Sequence, residues 1–151
     1  MTENQRDAER VVAEVGGLVD ESSACLAIYG PDLDPDDVTA QIGCAPTSAH
    51  RRGDKSRGGS KAYEAGAWLL KERGEAPNGP EQLIRRLMMK LPPDRAVWEA
   101  LSSRYDVQLR VSIHFTGWNK GFGLSNDTVA AIARLHANFG VDLYGYDEQD
   151  A

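Results

Sequence analysis

Between residues 105 and 115 the chain alternates without interruption. Tyr105, Val107, Leu109, Val111, Ile113 and Phe115 fall on one side, and Asp106, Gln108, Arg110, Ser112 and His114 on the other. Strand side chains repeat every two residues, so this run makes a strand with one dry face and one wet face. A strand buried on both faces reads instead as a continuous apolar run. The sheet that contains it is therefore covered by helices on one side and open on the other, which is the arrangement of an α+β domain.

The rest of the chain supplies elements for that plan. Residues 22–29, from Ser22 to Tyr29, form a short apolar run between turn formers and suit an inner strand closed by Gly30-Pro31. Asp34 is placed to cap a helix whose first turn holds Pro35, Asp36 and Asp37, with Val38 and Ile42 on one face and Gly43 as a left-handed stop. Strands are expected at 47–54 and 66–71, joined by a loop of Gly, Ser and basic residues. Asn78-Gly79-Pro80 announces a helix with Leu83, Ile84, Leu87, Met88 and Leu91 on one stripe, ended by Pro92-Pro93. A shorter helix follows with Ala96, Val97, Ala100 and Leu101 facing inward and Trp98 at its edge. After the alternating strand, a loop spans Gly117 to Gly123. Ser125 then caps a helix carrying Val129, Ile132, His136 and Phe139, Gly140 ends it, and Val141–Tyr146 reads as the last strand.

The expected fold is a two-layer α+β sandwich with an antiparallel or mixed sheet of about five strands, helices on one face, and order β-α-β-β-α-α-β-α-β. With 151 residues, 41% of them apolar, one ordinary core can be filled and a second cannot. Residues 22–147 are read as that domain, 148–151 as a tail and 1–21 as an extension. In the extension Ala8, Val11, Val12, Val15 and Val19 follow roughly helical spacing up to Gly16-Gly17, and a short strand at 10–15 is the alternative.

Charge and cysteine content exclude several classes. Seventeen basic against 23 acidic residues leave a net charge of −6, which disfavours general binding to nucleic acid or anionic membranes. No apolar run approaches the roughly 20 residues needed to span a bilayer, and the polar opening MTENQRDAER does not read as a signal peptide. Cys25 and Cys44 stand alone, so reduced thiols in a cytoplasm are the simple reading.

One group of motifs resembles a known family. Tyr29-Gly30-Pro31-Asp32-Leu33-Asp34-Pro35-Asp36-Asp37-Val38, Ile42-Gly43-Cys44-Ala45-Pro46-Thr47, Arg52-Gly53-Asp54, Trp68, and the closing pattern from Leu124-Ser125 to Tyr144 are similar to the bacterial domain-of-unknown-function 4279 family. The resemblance runs from about residue 24 to the end. It implies a small cytoplasmic α+β domain and brings no catalytic residue.

Chemical motifs are sparse. Asp32-x-Asp34-x-Asp36 begins like a calcium loop, but the sixth position is Asp37 rather than Gly and the twelfth is Gly43 rather than Glu, so helix capping explains it better. Residues 50–61 gather Arg51, Arg52, Lys55, Arg57 and Lys61, five of the seventeen basic residues. Such a loop can grip phosphate or carboxylate. Gly53 and Gly58 have the spacing of a phosphate loop, yet Gly59 stands where its lysine belongs, and a solvated connection is the plainer reading. Ser112 and His114 share the wet face of the alternating strand, about 7 Å apart, while Asp106 lies about 26 Å from His114, so these three make no triad. His50, His114 and His136 are dispersed, which gives a zinc site no support. Trp118, between Gly117 and Asn119 and close to Lys120 and Phe122, is either a lid on the core or an interface anchor.

Two functions follow as expectations, and neither needs a cofactor or metal. The first is a non-catalytic module that binds another protein. Residues 1–39 carry ten acidic and two basic side chains, a field that would speed association with a basic partner, as in an inhibitor or immunity-type protein facing a basic toxin. The alternative is a small anionic ligand, a nucleotide or sugar phosphate, held by loop 50–61 with Arg110 and His114 as further contacts. An enzyme is the weakest reading, because no paired acid and base emerge. The candidate contact residues are Arg51, Arg52, Lys55, Arg57, Arg110, His114, Trp118 and Lys120.

Overall fold

A computed structural model describes residues 17–146, so the expected N-terminal helix or strand at residues 8–15 lies outside the described residues. The main sheet has five strands: β2 (Glu21–Gly30), β3 (Ser48–His50), β4 (Gly66–Glu75), β5 (Asp106–Thr116) and β7 (Asn138–Tyr146). Their spatial order is β3-β4-β2-β5-β7. β2 pairs antiparallel with β4 and with β5, β3 antiparallel with β4, and β7 parallel with β5. The sheet is therefore mixed, and its strand and helix order matches the sequence expectation. One addition was not foreseen. A two-stranded parallel ribbon pairs β1 (Gly17–Leu18), in the segment read as an extension, with β6 (Lys120–Gly121), in what the sequence suggested was a plain loop.

Among the described residues four helices cover one face. α1 (Pro35–Ile42) starts as its sequence demands: Asp34 accepts a hydrogen bond from the Asp36 amide at 3.0 Å, and Gly43 closes the helix at φ 79°. It packs against β4, where the Trp68 indole donates to Thr39 Oγ1 at 3.0 Å. α2 (Pro80–Lys90) lays Leu83, Ile84 and Leu87 across β2 and β4. α3 (Arg95–Arg104) leads into β5, and α4 (Asn126–Arg134) packs beside α2. Val107, Leu109, Val111 and Ile113 of β5 and Ala24, Leu26 and Ile28 of β2 all point into this layer and are buried. Each of the valines, leucines and isoleucines contributes on the order of 1.5–3 kcal/mol by leaving water.

Several local expectations are corrected. Tyr105 caps α3 instead of opening β5. In α3 the buried residues are Trp98 and Leu101, with Ala96 and Ala100 exposed. The Trp98 indole reaches the Pro92 carbonyl at 2.9 Å, which lets the largest side chain of the helix occupy the core. α4 stops at Arg134, six residues before Gly140, because His136 turns the chain at φ 50°. Phe139 and Gly140 therefore belong to β7. Val129, expected inside, is half exposed. The strand expected at 47–54 shrinks to Ser48–His50, while the one expected at 66–71 extends to Glu75.

α2 and α4 are joined by one buried carboxylate. Glu81, 8% exposed, accepts from Thr128 Oγ1 at 2.7 Å and from the Ser125 amide at 3.2 Å, with Arg85 Nε at 3.1 Å. Burial pushes its carboxyl up, but the hydrogen bonds from Ser125 and Thr128 and the charge of Arg85 outweigh that and hold it below its ordinary value.

Candidate functional site: the open face of the sheet

The face turned away from the helices is built from alternate residues of the same strands. Register arranges them in rows. Lys71, Cys25, Arg110 and Gly140 form one row; Arg73, Ser23, Ser112 and Asp142 the next; Glu75, Glu21, His114 and Tyr144 the third. Side chains opposite one another in adjacent antiparallel strands lie about 4.5–5.5 Å apart at Cβ. On this face the central strand β2 carries the short Ser23, Cys25 and Ala27 between the longer Glu21 and Tyr29, whereas β4 contributes Leu69, Lys71 and Arg73. The consequence is a trough along β2. Its deep end is a cavity of about 650 Å³ lined by Glu21, Ser23, Lys71, Arg73, Ser112, His114 and Tyr144, among others.

One wall is aromatic. The His114 ring stacks on Tyr144 with centroids 4.7 Å apart and lies 6.0 Å from Tyr146, all three rings nearly parallel. His114 Nδ1 is 3.3 Å from the Tyr146 hydroxyl. Beside this wall Arg110 donates from the one nitrogen Nη2 to both carboxylate oxygens of Asp142 at 3.0 and 3.2 Å, an ion pair that holds the guanidinium still more firmly in its charged form. Across the trough, Lys71 and Arg73 make no ion pair among the described residues. On the floor, burial pushes the Cys25 thiol up despite the nearby charges of Lys71 and Arg110. Burial likewise raises the Tyr29 phenol. Both groups stay protonated at neutral pH, so neither supplies a ready nucleophile or base. Among the described residues no cluster of three His, Cys, Asp or Glu could hold a metal ion.

The sequence-derived candidates fall into separate places. Arg110 and His114 lie on the open face as expected. Trp118 is 94% exposed at the turn between β5 and β6, and Lys120 is exposed on β6. Such exposure removes the lid reading of Trp118. Thr116, two residues earlier, donates its amide to Asp20 at 2.7 Å, so this turn sits at the end of the sheet, beside a second hollow lined by Asp20, Glu21, His114 and Tyr146.

The basic loop lies elsewhere. Arg51 binds Asp34 at 2.6 Å and Asp36 at 2.8 Å, and Arg52 binds Asp32 at 2.8 Å, all beside the end of β2 at Gly30. Arg51 holds the Asp34 carboxyl below its ordinary range. From Glu21, next to His114, to Gly30 is nine strand steps, or about 30 Å. Lys55 and Arg57 continue into a short hairpin in which Lys55 faces Ala62 and the Ser56 amide bonds the Lys61 carbonyl at 2.8 Å. The loop arginines therefore do not converge with Arg110 and His114.

Sequence reading missed Ser23, Lys71, Arg73, Asp142 and Tyr144. Lys71 and Arg73 gave no periodic signal, because past Leu70 the chain runs Lys71, Glu72, Arg73 with no apolar residue to mark the strand's continuation.

This is a helix-backed mixed sheet whose other face is open. The model of the DUF4279 family, described as a domain of unknown function, matches residues 20–146, and the chain belongs to that family. No curated protein and no solved structure matches it. No helix among the described residues is long and apolar enough to cross a membrane.

Proposed function

We propose that this domain is a non-catalytic binding module of the cytoplasm, and that the trough on the open face holds an extended segment of a partner protein. The observation that carries the reading is the pair of short side chains, Ser23 and Cys25, between the longer Lys71 and Arg73 of β4 and Arg110 and His114 of β5. A polypeptide in extended conformation fits a channel along a strand, and the stacked His114 and Tyr144 offer it an aromatic side. The two free thiols, Cys25 and Cys44, suit a reducing compartment.

Charge refines the partner. Asp32, Asp34, Asp36 and Asp37 are paired with Arg51, Arg52 and Arg104, which weakens the acidic field that a basic partner would need. Lys71 and Arg73 favour carboxylate or phosphate groups on the part of a segment that lies beside them, while Glu21 and Glu75 at the next row favour a basic group there. Selection of peptides on the immobilised protein, followed by titration of the winners, tests this. Ser23→Tyr, which fills the trough, and Lys71→Glu with Arg73→Glu, which reverse its charge, are expected to weaken binding at least tenfold. Winners that bind all three proteins equally would remove the trough as the site.

A second reading keeps a small anionic ligand, a nucleotide or sugar phosphate, and moves it from loop 50–61 to the trough. Lys71 and Arg73 flank the hydroxyls of Ser23 and Ser112 there, a suitable set for phosphate oxygens. A ligand at ~100 times its dissociation constant adds about 2.7 kcal/mol to stability, so a thermal-shift screen would see it as several degrees. A shift that survives Arg51→Ala with Arg52→Ala but not Lys71→Glu selects this reading.

A further inference from the structure

The two edges of the sheet are built differently. β3 is three residues long and follows Pro46, a short edge of the kind that resists pairing with other chains. β7 runs for nine residues with no proline and no lysine or arginine. Its one charge, Asp142, is already bound by Arg110. Among the described residues nothing pairs with its outer side.

The helix layer also stops short of it. Phe139, Val141 and Leu143 stand beside Leu109, Val111 and Ile113 of β5, which are buried. Yet Phe139 is 44% exposed, Val141 38% and Leu143 67%. The apolar stripe that the helices cover on β5 is bare one strand further out.

We propose that β7 is a self-association site, where two copies of the chain pair antiparallel about a two-fold axis perpendicular to the sheet. Such an axis keeps the helix-covered sides of both copies on the same side. With Val141 on the axis, it meets Val141 of the second copy, and Phe139 meets Leu143 in both directions. Six apolar side chains then form one patch. On the open face the same register sets Asp142 opposite Gly140 of the second copy, so no carboxylate meets another. Moving the axis to Asp142 would set the two carboxylates against each other, at a cost for like charges directly opposed. Axes on Gly140 or Leu143 also keep the carboxylates apart, but they set Leu143 opposite Ala137 or Val141 opposite Gly145, so the register centred on Val141 is the one that gathers all six apolar side chains. The two sheets become one of ten strands with both open faces on the same side.

Sedimentation velocity of the full chain across the micromolar range tests the proposal. The wild type is expected to move toward twice the 16.5 kDa chain mass as concentration rises. Val141→Lys is expected to stay at one chain with an unchanged far-ultraviolet spectrum. Register is read separately by oxidising cysteine variants in a Cys25→Ser, Cys44→Ser background. Cα atoms directly across an antiparallel pair lie about 4.5–5.5 Å apart, within the range a disulfide spans. Val141→Cys should cross-link to itself, and Leu143→Cys should cross-link to Phe139→Cys but not to itself. A wild type that remains a single chain throughout overturns the proposal, as does self-linking of Leu143→Cys in place of Val141→Cys. If deleting residues 1–16 is what first permits association, that segment and not a second copy occupies the edge, which also overturns it.

Discussion

Leu109 and Ser112 lie three residues apart on one strand, yet they answer to different physics. Leu109 is fully buried against the helix layer, where its volume is fixed by neighbours on β2, β5 and the helices. Ser112 is on the open face, where it borders a cavity and its neighbours are individual polar side chains. The covered face stabilises by close packing, and the open face can vary without unfolding the domain. The difference explains how a scaffold can stay constant while the surface it presents is tuned to a ligand.

The contrast can be broken most severely from the covered side. Leu109→Ala should cost about 3 kcal/mol, seen as a lower urea midpoint at unchanged slope, because it leaves a cavity in the packed layer. Ser112→Ala on the same strand should stay within about 0.5 kcal/mol of wild type. Equal losses at both positions would mean that the two faces are packed alike.

Glu81 sharpens the comparison, since the covered side also holds a charge. Replacing it by Gln should cost about 1–2 kcal/mol, from charge-assisted hydrogen bonds to Ser125 and Thr128 that become neutral ones. Its carboxyl is held below the ordinary 4.5, so the unfolded chain takes up the proton first as pH falls. The stabilisation is therefore complete above that value and is lost as pH drops through the lower folded one. Urea midpoints of wild type and Glu81→Gln should converge on acidification, and a gap that stays constant would contradict the assignment.

The smallest effect on stability is expected at Trp118. Its ring is almost wholly exposed, so Trp118→Ala should leave the melting temperature within error. The same variant should weaken any partner that reaches past the end of the trough. A marked loss of stability would instead mean that the ring covers apolar surface.

How much of this could be read from the chain follows from the range of each interaction. The alternation of β5 and the caps of α1 are local patterns, and they appear as expected at Asp106–Thr116 and Pro35–Ile42. The end of α4 was hidden because Val129, Ile132, His136 and Phe139 keep a helical spacing straight through the turn. His136 makes that turn in a left-handed conformation that sequence patterns assign to Gly or Asn. The ion pairs of Arg51 and Arg52 join residues fifteen to twenty positions apart with no period to reveal them. The first two arginines of the basic loop and the aspartates around the start of α1 were each other's partners. The trough escaped notice for another reason: residues 22–29 were read as one apolar run, so the short side chains on their outer face were not separated from the large ones inside.

Cys25 gives the floor of that trough a natural reporter. With Cys44 replaced by Ser, its half-buried thiol becomes the one place on the chain that an alkylating dye can mark. The rate of marking would then follow, in real time, whether anything lies across the middle of the sheet.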